Sequence, residues 1–201
     1  MTRLRTAILI SGRGTNMQAI LEAAKHLNYA AKPVLVLSNR PDAAGLKIAA
    51  AFGVATASVD HKPFGKDREA FERALQAELV LHRVEMVILA GFMRILTPWF
   101  VGQWSERMIN IHPSLLPKYP GLNTHQRAID AGDEEAGCSV HWVTEGVDQG
   151  TVIEQARVPI LPGDTADSLA ARVLPEEHAL YPKAAHSAAK LILARVKATQ
   201  A

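Results

Sequence analysis

The chain has one cysteine, Cys138, among its 201 residues. A single thiol can build neither an internal disulfide framework nor a cysteine-rich zinc site. Charge of one sign is also scarce. The formal net charge is +2, and Lys and Arg nowhere gather into a stripe. That excludes the basic footprint of a nucleic-acid binder. Long apolar runs are missing too. The first run, residues 7–10, follows a polar N-terminus and is too short for a signal-peptide core or a membrane span. No repeat, linker or low-complexity segment divides the chain. These absences predict a cytoplasmic protein with no membrane or nucleic-acid partner, folded as one domain over residues 1–201.

What is present fits that expectation. Hydrophobic residues make up 48% and charged residues 21%, the balance of an ordinary globular protein with room for one full core. Short apolar runs at residues 7–10, 33–37, 54–59 and 86–90 alternate with helical patterns at 17–25, 43–51 and from Asp67 onward. In the last of these, Phe71, Ala74, Leu75 and Leu79 share one face at helical spacing. Near-continuous apolar strands alternating with helices predict a parallel sheet covered on both faces.

The second half reads differently. Residues 108–112 form a short strand with alternating polar positions and run into a loop holding Pro113, Pro117 and Pro120. Residues 123–130 read as helix. Residues 139–143 and 151–159 read as an antiparallel pair joined by the loop 144–150. Residues 165–186 are helical, with Asp164 as the expected N-cap and with Pro175 and Pro182 breaking or ending its parts. The fold expected is a single α/β domain with a doubly wound, mostly parallel sheet. Its N-terminal half is Rossmann-like and phosphate-binding, and its C-terminal half carries an antiparallel strand pair. Ligands of such sheets bind at the carboxyl ends of the strands.

Two places on that rim carry chemistry. The first is the turn Ser11-Gly12-Arg13-Gly14-Thr15-Asn16, between a strand and a helix. Glycines let backbone N–H groups approach an anion, and the helix start adds partial positive charge. A dinucleotide fingerprint is incomplete, because Met17 stands at the third glycine position and no acidic residue closes the second strand. A Walker A loop fails for want of a Gly-Lys-Ser/Thr. A single phosphate fits the turn; a tight turn with no ligand fits it as well.

The second place is Asn110-Ile111-His112. Spacing of two on a strand points both polar side chains to one face. Histidine exchanges protons near neutral pH, and an amide can donate to an oxygen that gains negative charge. Together they suit acyl transfer without a covalent nucleophile. An Asp within reach would favour the imidazolium, and Asp148 is the candidate. Spacing alone leaves open that His112 is a structural residue and Asp148 a turn residue. A metal set of His112, His125 and Asp148 lacks any local ligand pair, so no metal is expected. Ser11 lacks the frame of a serine nucleophile.

Longer motifs narrow the choice. Residues 110–121, Asn-Ile-His-Pro-Ser-Leu-Leu-Pro-Lys-Tyr-Pro-Gly, resemble the signature loop of the phosphoribosylglycinamide formyltransferases, the folate-dependent enzymes of purine biosynthesis. The turn at residues 10–16, the run Ala90-Gly91-Phe92-Met93-Arg94-Ile95-Leu96, the stretch 139–144 with Asp148, and residues 177–182 resemble further segments of the same family, in order. The resemblance implies formyl transfer from 10-formyltetrahydrofolate, as co-substrate, to the amino group of glycinamide ribonucleotide through a tetrahedral intermediate. It implies that Asn110, His112 and Asp148 are catalytic. It places Gly14, Thr15 and Asn16 on the ribonucleotide phosphate and Glu177 on its ribose. It places Arg68, Met93, Arg94, Ile95, Leu96 and Asn110 on the folate, with Thr144, Glu145, Gly146, Val147 and Asp148 closing over the pterin. The partners implied are these small molecules, with the chain a monomer or a homodimer. Two departures stand out. Gln149 replaces a glycine common in relatives, and Leu174 and Pro175 lie where relatives can carry a polar ribose contact. Methionyl-tRNA formyltransferases and formyltetrahydrofolate hydrolases share parts of the pattern but carry added domains for which 201 residues leave no expected room. A phosphometabolite-binding module would have no use for the Asn, His and Asp together.

Overall fold

Residues of the inner strands bury both of their faces, and the residue parity shows how. In a computed structural model describing residues 2–200, Ile8, Ile10, Val36, Ile88 and Ile109 join one core, while Ala7, Leu9, Leu35, Leu37 and Val87 join a second on the opposite face. Met1 and Ala201, the ends of the expected domain, lie outside the described residues.

The elements in chain order are β1 (Leu4–Ile10), α1 (Thr15–Ala23), β2 (Ala31–Ser38), α2 (Ala44–Ala51), β3 (Ala55–Ser58), α3 (Arg68–Leu81), β4 (Met86–Leu89), α4 (Pro98–Gln103), β5 (Met108–His112), α5 (Thr124–Asp130), β6 (Glu135–Trp142), β7 (Val152–Pro159) and α6 (Ala166–Gln200). One sheet runs β3-β2-β1-β4-β5-β6-β7. The pairs from β3 to β5 are parallel, and β5–β6 and β6–β7 are antiparallel. This is the expected α/β class with its antiparallel appendage. The strand order reverses between β1 and β4, so the ends of β1, β4 and β5 open onto one crevice.

The second core lies under α3 and α4, where Phe71, Leu75, Leu79 and Phe100 pack on the sheet. Ala74 only flanks that face, and Glu72 is buried in it. The helix α4 was not expected. Its signal is Thr97-Pro98, an N-cap whose side chain accepts from Phe100 N–H, followed by proline in the first turn.

Helix α6 corrects two expectations. It runs unbroken through Pro175 and Pro182. An interior proline costs roughly 3 kcal/mol. Here Val173, Leu180, Tyr181, Ala184, Ala185, Ala188 and Ala189 are buried against the sheet, and that packing outweighs the lost backbone bonds. The Tyr29 hydroxyl also donates to the Pro182 carbonyl at 2.8 Å. At its start Thr165, not Asp164, makes the cap. Thr165 Oγ1 accepts from Ser168 N–H at 3.2 Å, and Ser168 Oγ accepts from Thr165 N–H at 2.9 Å. Asp164 instead pairs with Arg172 at 2.6 Å and accepts from Leu161 N–H at 2.7 Å. No helix among the described residues is long and apolar enough to cross a membrane.

Candidate active site

Strand β5 ends at the crevice with Asn110 half-buried and His112 buried. The strand was read at its observed bounds, and its period of two does put both residues on the cavity side. Asp148 comes from the loop after β6 and reaches both. Its Oδ2 lies 3.2 Å from His112 Nδ1 and accepts from Gly121 N–H at 2.9 Å. Its Oδ1 lies 3.5 Å from Asn110 Nδ2. Asp148 adopts φ 53°, a left-handed conformation that aspartate tolerates better than most residues, and this aims the carboxylate inward.

His112 Nε2 faces the Tyr119 carbonyl at 2.9 Å. Both ring nitrogens therefore meet acceptors, and only the imidazolium can donate to both. Burial alone would raise the Asp148 carboxyl. Hydrogen bonds from His141 and the Gly121 N–H, with the charge of His112, outweigh burial and hold it below its ordinary value.

The Pro-rich loop is pinned from below. Buried Ser139 donates to Ser114 O at 2.6 Å and accepts from Leu116 N–H at 3.0 Å and from Gln155 Nε2 at 2.8 Å. Tyr119 and Lys118 both bond Asp133, at 2.8 and 2.9 Å. The carbonyl that faces His112 thus sits on a braced segment.

A cavity of about 800 Å³ opens in front of these groups. Asn16, Asp167 and Glu177 line it, as do Met93, Arg94, Ile95, Leu122 and Val147. A second cavity of about 380 Å³ adjoins it over residues 11–16, with Asn39, Arg40 and His61, and shares Asn16, Gly91, Met93 and Arg94 with the first. Gly14 caps α1 at φ 72°, where a Cβ would press on Met17 and the Gly45 backbone, so only glycine suits this turn. Asn16 Nδ2 donates to Glu177 Oε2 at 2.6 Å. Asn16 Oδ1 is buried and has no partner among the described residues, an acceptor left for a ligand donor. Burial holds the Glu177 carboxyl above its ordinary value, against the lowering effect of Asn16.

The chain matches the formyl transferase family model over residues 4–185. It belongs to the formyl transferase family. The phosphoribosylglycinamide formyltransferase of Escherichia coli is 49% identical over 179 residues, covering 89% of this chain and 84% of that protein. The trifunctional purine biosynthetic protein adenosine-3 of Drosophila melanogaster is 47% identical over 184 residues, and there the match covers 90% of this chain but 14% of the longer protein. The solved phosphoribosylglycinamide formyltransferase of Brucella melitensis superposes with a TM-score of 0.88 at 48% identity, covering 94% of this chain and 96% of that one.

Within this formyl transferase fold the expected residues fall into three groups. Asn110, His112 and Asp148 meet, and Asn16, Glu177, Met93, Arg94, Ile95 and Val147 line the same cavity. Gly14 and Thr15 line the adjoining one. Arg68, Leu96, Thr144, Glu145 and Gly146 line neither. Arg68 is exposed at the first position of α3. Gln149 folds its side chain over Gly146, where a Cβ would collide with it, so the loop turns tightly despite the extra bulk. Leu174 stands outside the cavity lining. His125 faces the cavity with Nε2 buried and unpartnered among the described residues, and burial then the His112 charge lower its pKa. No group of three His, Cys, Asp or Glu side chains in metal-binding geometry occurs among the described residues.

One residue of the cluster had no role assigned from the sequence. His141 pairs with Asn110 across β5 and β6, and its Nε2 lies 3.4 Å from Asp148 Oδ1 and 3.4 Å from Asn110 Nδ2. Its Nδ1 faces the Trp142 carbonyl at 2.9 Å. The available signal was strand parity: His141 and Ser139 alternate with apolar Val140 and Cys138 on a strand already read as antiparallel.

Proposed function

We propose that this chain transfers the formyl group of 10-formyltetrahydrofolate to the amino group of glycinamide ribonucleotide, in de novo purine biosynthesis. The products are formylglycinamide ribonucleotide and tetrahydrofolate. The observation that carries the reading is the meeting of Asn110, His112 and Asp148 on the wall of one cavity that also reaches Asn16 and Glu177. A phosphate at Gly14, Thr15 and Asn16, with the ribose at Glu177, directs the amine of the ribonucleotide toward His112. The folate lies along Met93, Arg94, Ile95 and Leu96, with its pterin under the loop 144–148 and Arg68 toward its outer end. We take residues 1–201 as one formyltransferase domain acting on small molecules, in the cytoplasm, as a monomer or homodimer, with no metal.

The chemistry follows from the donors. The amine nitrogen attacks the formyl carbon, and the carbonyl oxygen gains negative charge. Asn110 Nδ2 donates to that oxygen, and His112 reaches it by exchanging the Tyr119 carbonyl at Nε2 for the substrate oxygen. Asp148 orients His112 through Nδ1, and His141 steadies the far side of Asp148. The tetrahedral intermediate then collapses: the bond from the formyl carbon to folate N10 breaks, the amine loses a proton and N10 gains one. His112 serves that proton transfer. No covalent enzyme intermediate is needed.

The test mixes the protein with glycinamide ribonucleotide and 10-formyltetrahydrofolate and follows loss of the formyl donor. Ribonucleotide-dependent turnover that collapses in His112→Ala is expected. Absence of such turnover in the unaltered protein, or a rate indifferent to His112→Ala, would sink the proposal.

A further inference from the structure

Residues 93–95 line the cavity wall, and with Leu96 they run between two polar anchors. At their start, Met93 N–H donates to Ser11 Oγ at 2.8 Å, and the Ser11 hydroxyl donates to Asn39 Oδ1 at 2.5 Å. At their end, Thr97 N–H donates to Glu72 Oε1 at 2.7 Å, and the Thr97 hydroxyl donates to Glu72 Oε2. Between the anchors Met93 and Ile95 are 68% and 66% exposed, and Leu96 is the hydrophobic side chain of the segment that packs on the second core. The segment's path is set at its ends.

Glu72 is the unusual member. It is 1% exposed and sits on the face of α3 that carries Phe71, Leu75 and Leu79 into the core. A carboxylate there is costly unless its oxygens find donors. Both oxygens find them on one residue, Thr97. Glu72 also lies one helical turn from Arg68 on α3.

We propose that Glu72 is a positioning residue for formyl-folate binding. Through Thr97 it locks the backbone of residues 93–96 against the helix that begins at Arg68. This rests on the reading that residues 93–96 border the folate. The rival account is a plain structural role, since Thr97 also caps α4. The two differ in what they spare. A structural tie lowers stability and affects both ligands alike. A positioning tie weakens folate binding and leaves the ribonucleotide end untouched, because Asn16 and Glu177 are held by a separate bond.

Three variants test this: Glu72→Gln, Thr97→Val and Thr97→Ser. For each, the dissociation constants of tetrahydrofolate and of glycinamide ribonucleotide are measured, with a thermal unfolding curve. Glu72→Gln replaces the charge-assisted bonds with neutral ones and forces the Thr97 hydroxyl, which already accepts from Phe100 N–H, to accept from the new amide as well, and Thr97→Val removes the hydroxyl. In both, the tetrahydrofolate Kd is expected to rise roughly 10- to 100-fold. The ribonucleotide Kd should stay within about two-fold, as the sites are separate. Thr97→Ser keeps both donors and should bind tetrahydrofolate as the unaltered protein does. Unchanged folate binding in folded Glu72→Gln or Thr97→Val overturns the proposal, and so does an equal loss for both ligands. Should Thr97→Val fail to fold, the near-isosteric Glu72→Gln still decides. The unaltered protein's turnover separates the two readings: no turnover refutes formyl transfer, whereas normal turnover with indifferent variants refutes only the role of Glu72.

Discussion

Asp148→Asn removes one negative charge while keeping size and an acceptor for Gly121 N–H. The charge lies 3.2 Å from His112 Nδ1 and 3.4 Å from His141 Nε2. At an effective dielectric of about 20, a charge pair at the shorter distance interacts by about 5 kcal/mol. Desolvation of the pair offsets part of this, leaving about 3 to 5 kcal/mol lost when one partner is removed. If the transition state needs protonated His112, that loss appears as roughly a 10²- to 10⁴-fold fall in kcat. In the proposed reading the ribonucleotide sits against Gly14, Thr15, Asn16 and Glu177, so its Kd should change little. Single-turnover formyl transfer and equilibrium ribonucleotide binding measure the two quantities. A fall in kcat below about ten-fold, or matched losses in kcat and binding, would refute the reasoning and make Asp148 a loop-forming residue. Acid unfolding supplies a second check. The Asp148 carboxyl is held below its reference value of 3.8. Its ionised form therefore adds stability that is fully present above pH 3.8 and lost as pH falls through the lower folded value. Asp148→Asn should flatten that part of the acid-unfolding curve.

Other outcomes follow from the same geometry. Glu177 is raised above its reference value of 4.5 by burial, so its contribution to stability is fully present below that pH and lost as pH rises through the folded value. Glu177→Gln should stabilise the free protein at pH 7 more than at pH 4, seen by urea unfolding, while the ribonucleotide Kd rises about ten-fold or more for a lost charged hydrogen bond. Tyr181 is fully buried, and its hydroxyl shares its proton between Leu89 O at 2.9 Å and Ile109 O at 3.3 Å, tying α6 to the end of β4 and the start of β5. Tyr181→Phe should cost about 1 to 3 kcal/mol by urea unfolding.

Helix α6 shows where local rules stop. Each proline argues for a break, and only the buried face of Val173, Tyr181, Ala185 and Ala189 against the sheet explains why none occurs. The cap moved from Asp164 to Thr165 for a similar reason: Arg172, eight residues on, claims Asp164. Such contacts depend on where the chain returns, which local propensity does not encode.

The amino-acid order alone was enough for the α/β class, the seven strand segments and the bounds of β5. A strand's period of two placed Asn110 and His112 on one face. A glycine turn between strand and helix marked residues 11–16, and Gly14 does start α1 there at positive φ. All of these are consequences of short-range geometry. The distance from His112 to Asp148 is different in kind. It exists because β6 runs antiparallel to β5 and delivers its following loop over the end of β5. The same pairing brings His141 beside Asn110, and the packing of α3 on the sheet brings Glu72 to Thr97. Composition and periodicity identify residues able to do chemistry, but only chain crossings set which of them lie within hydrogen-bond reach of one another.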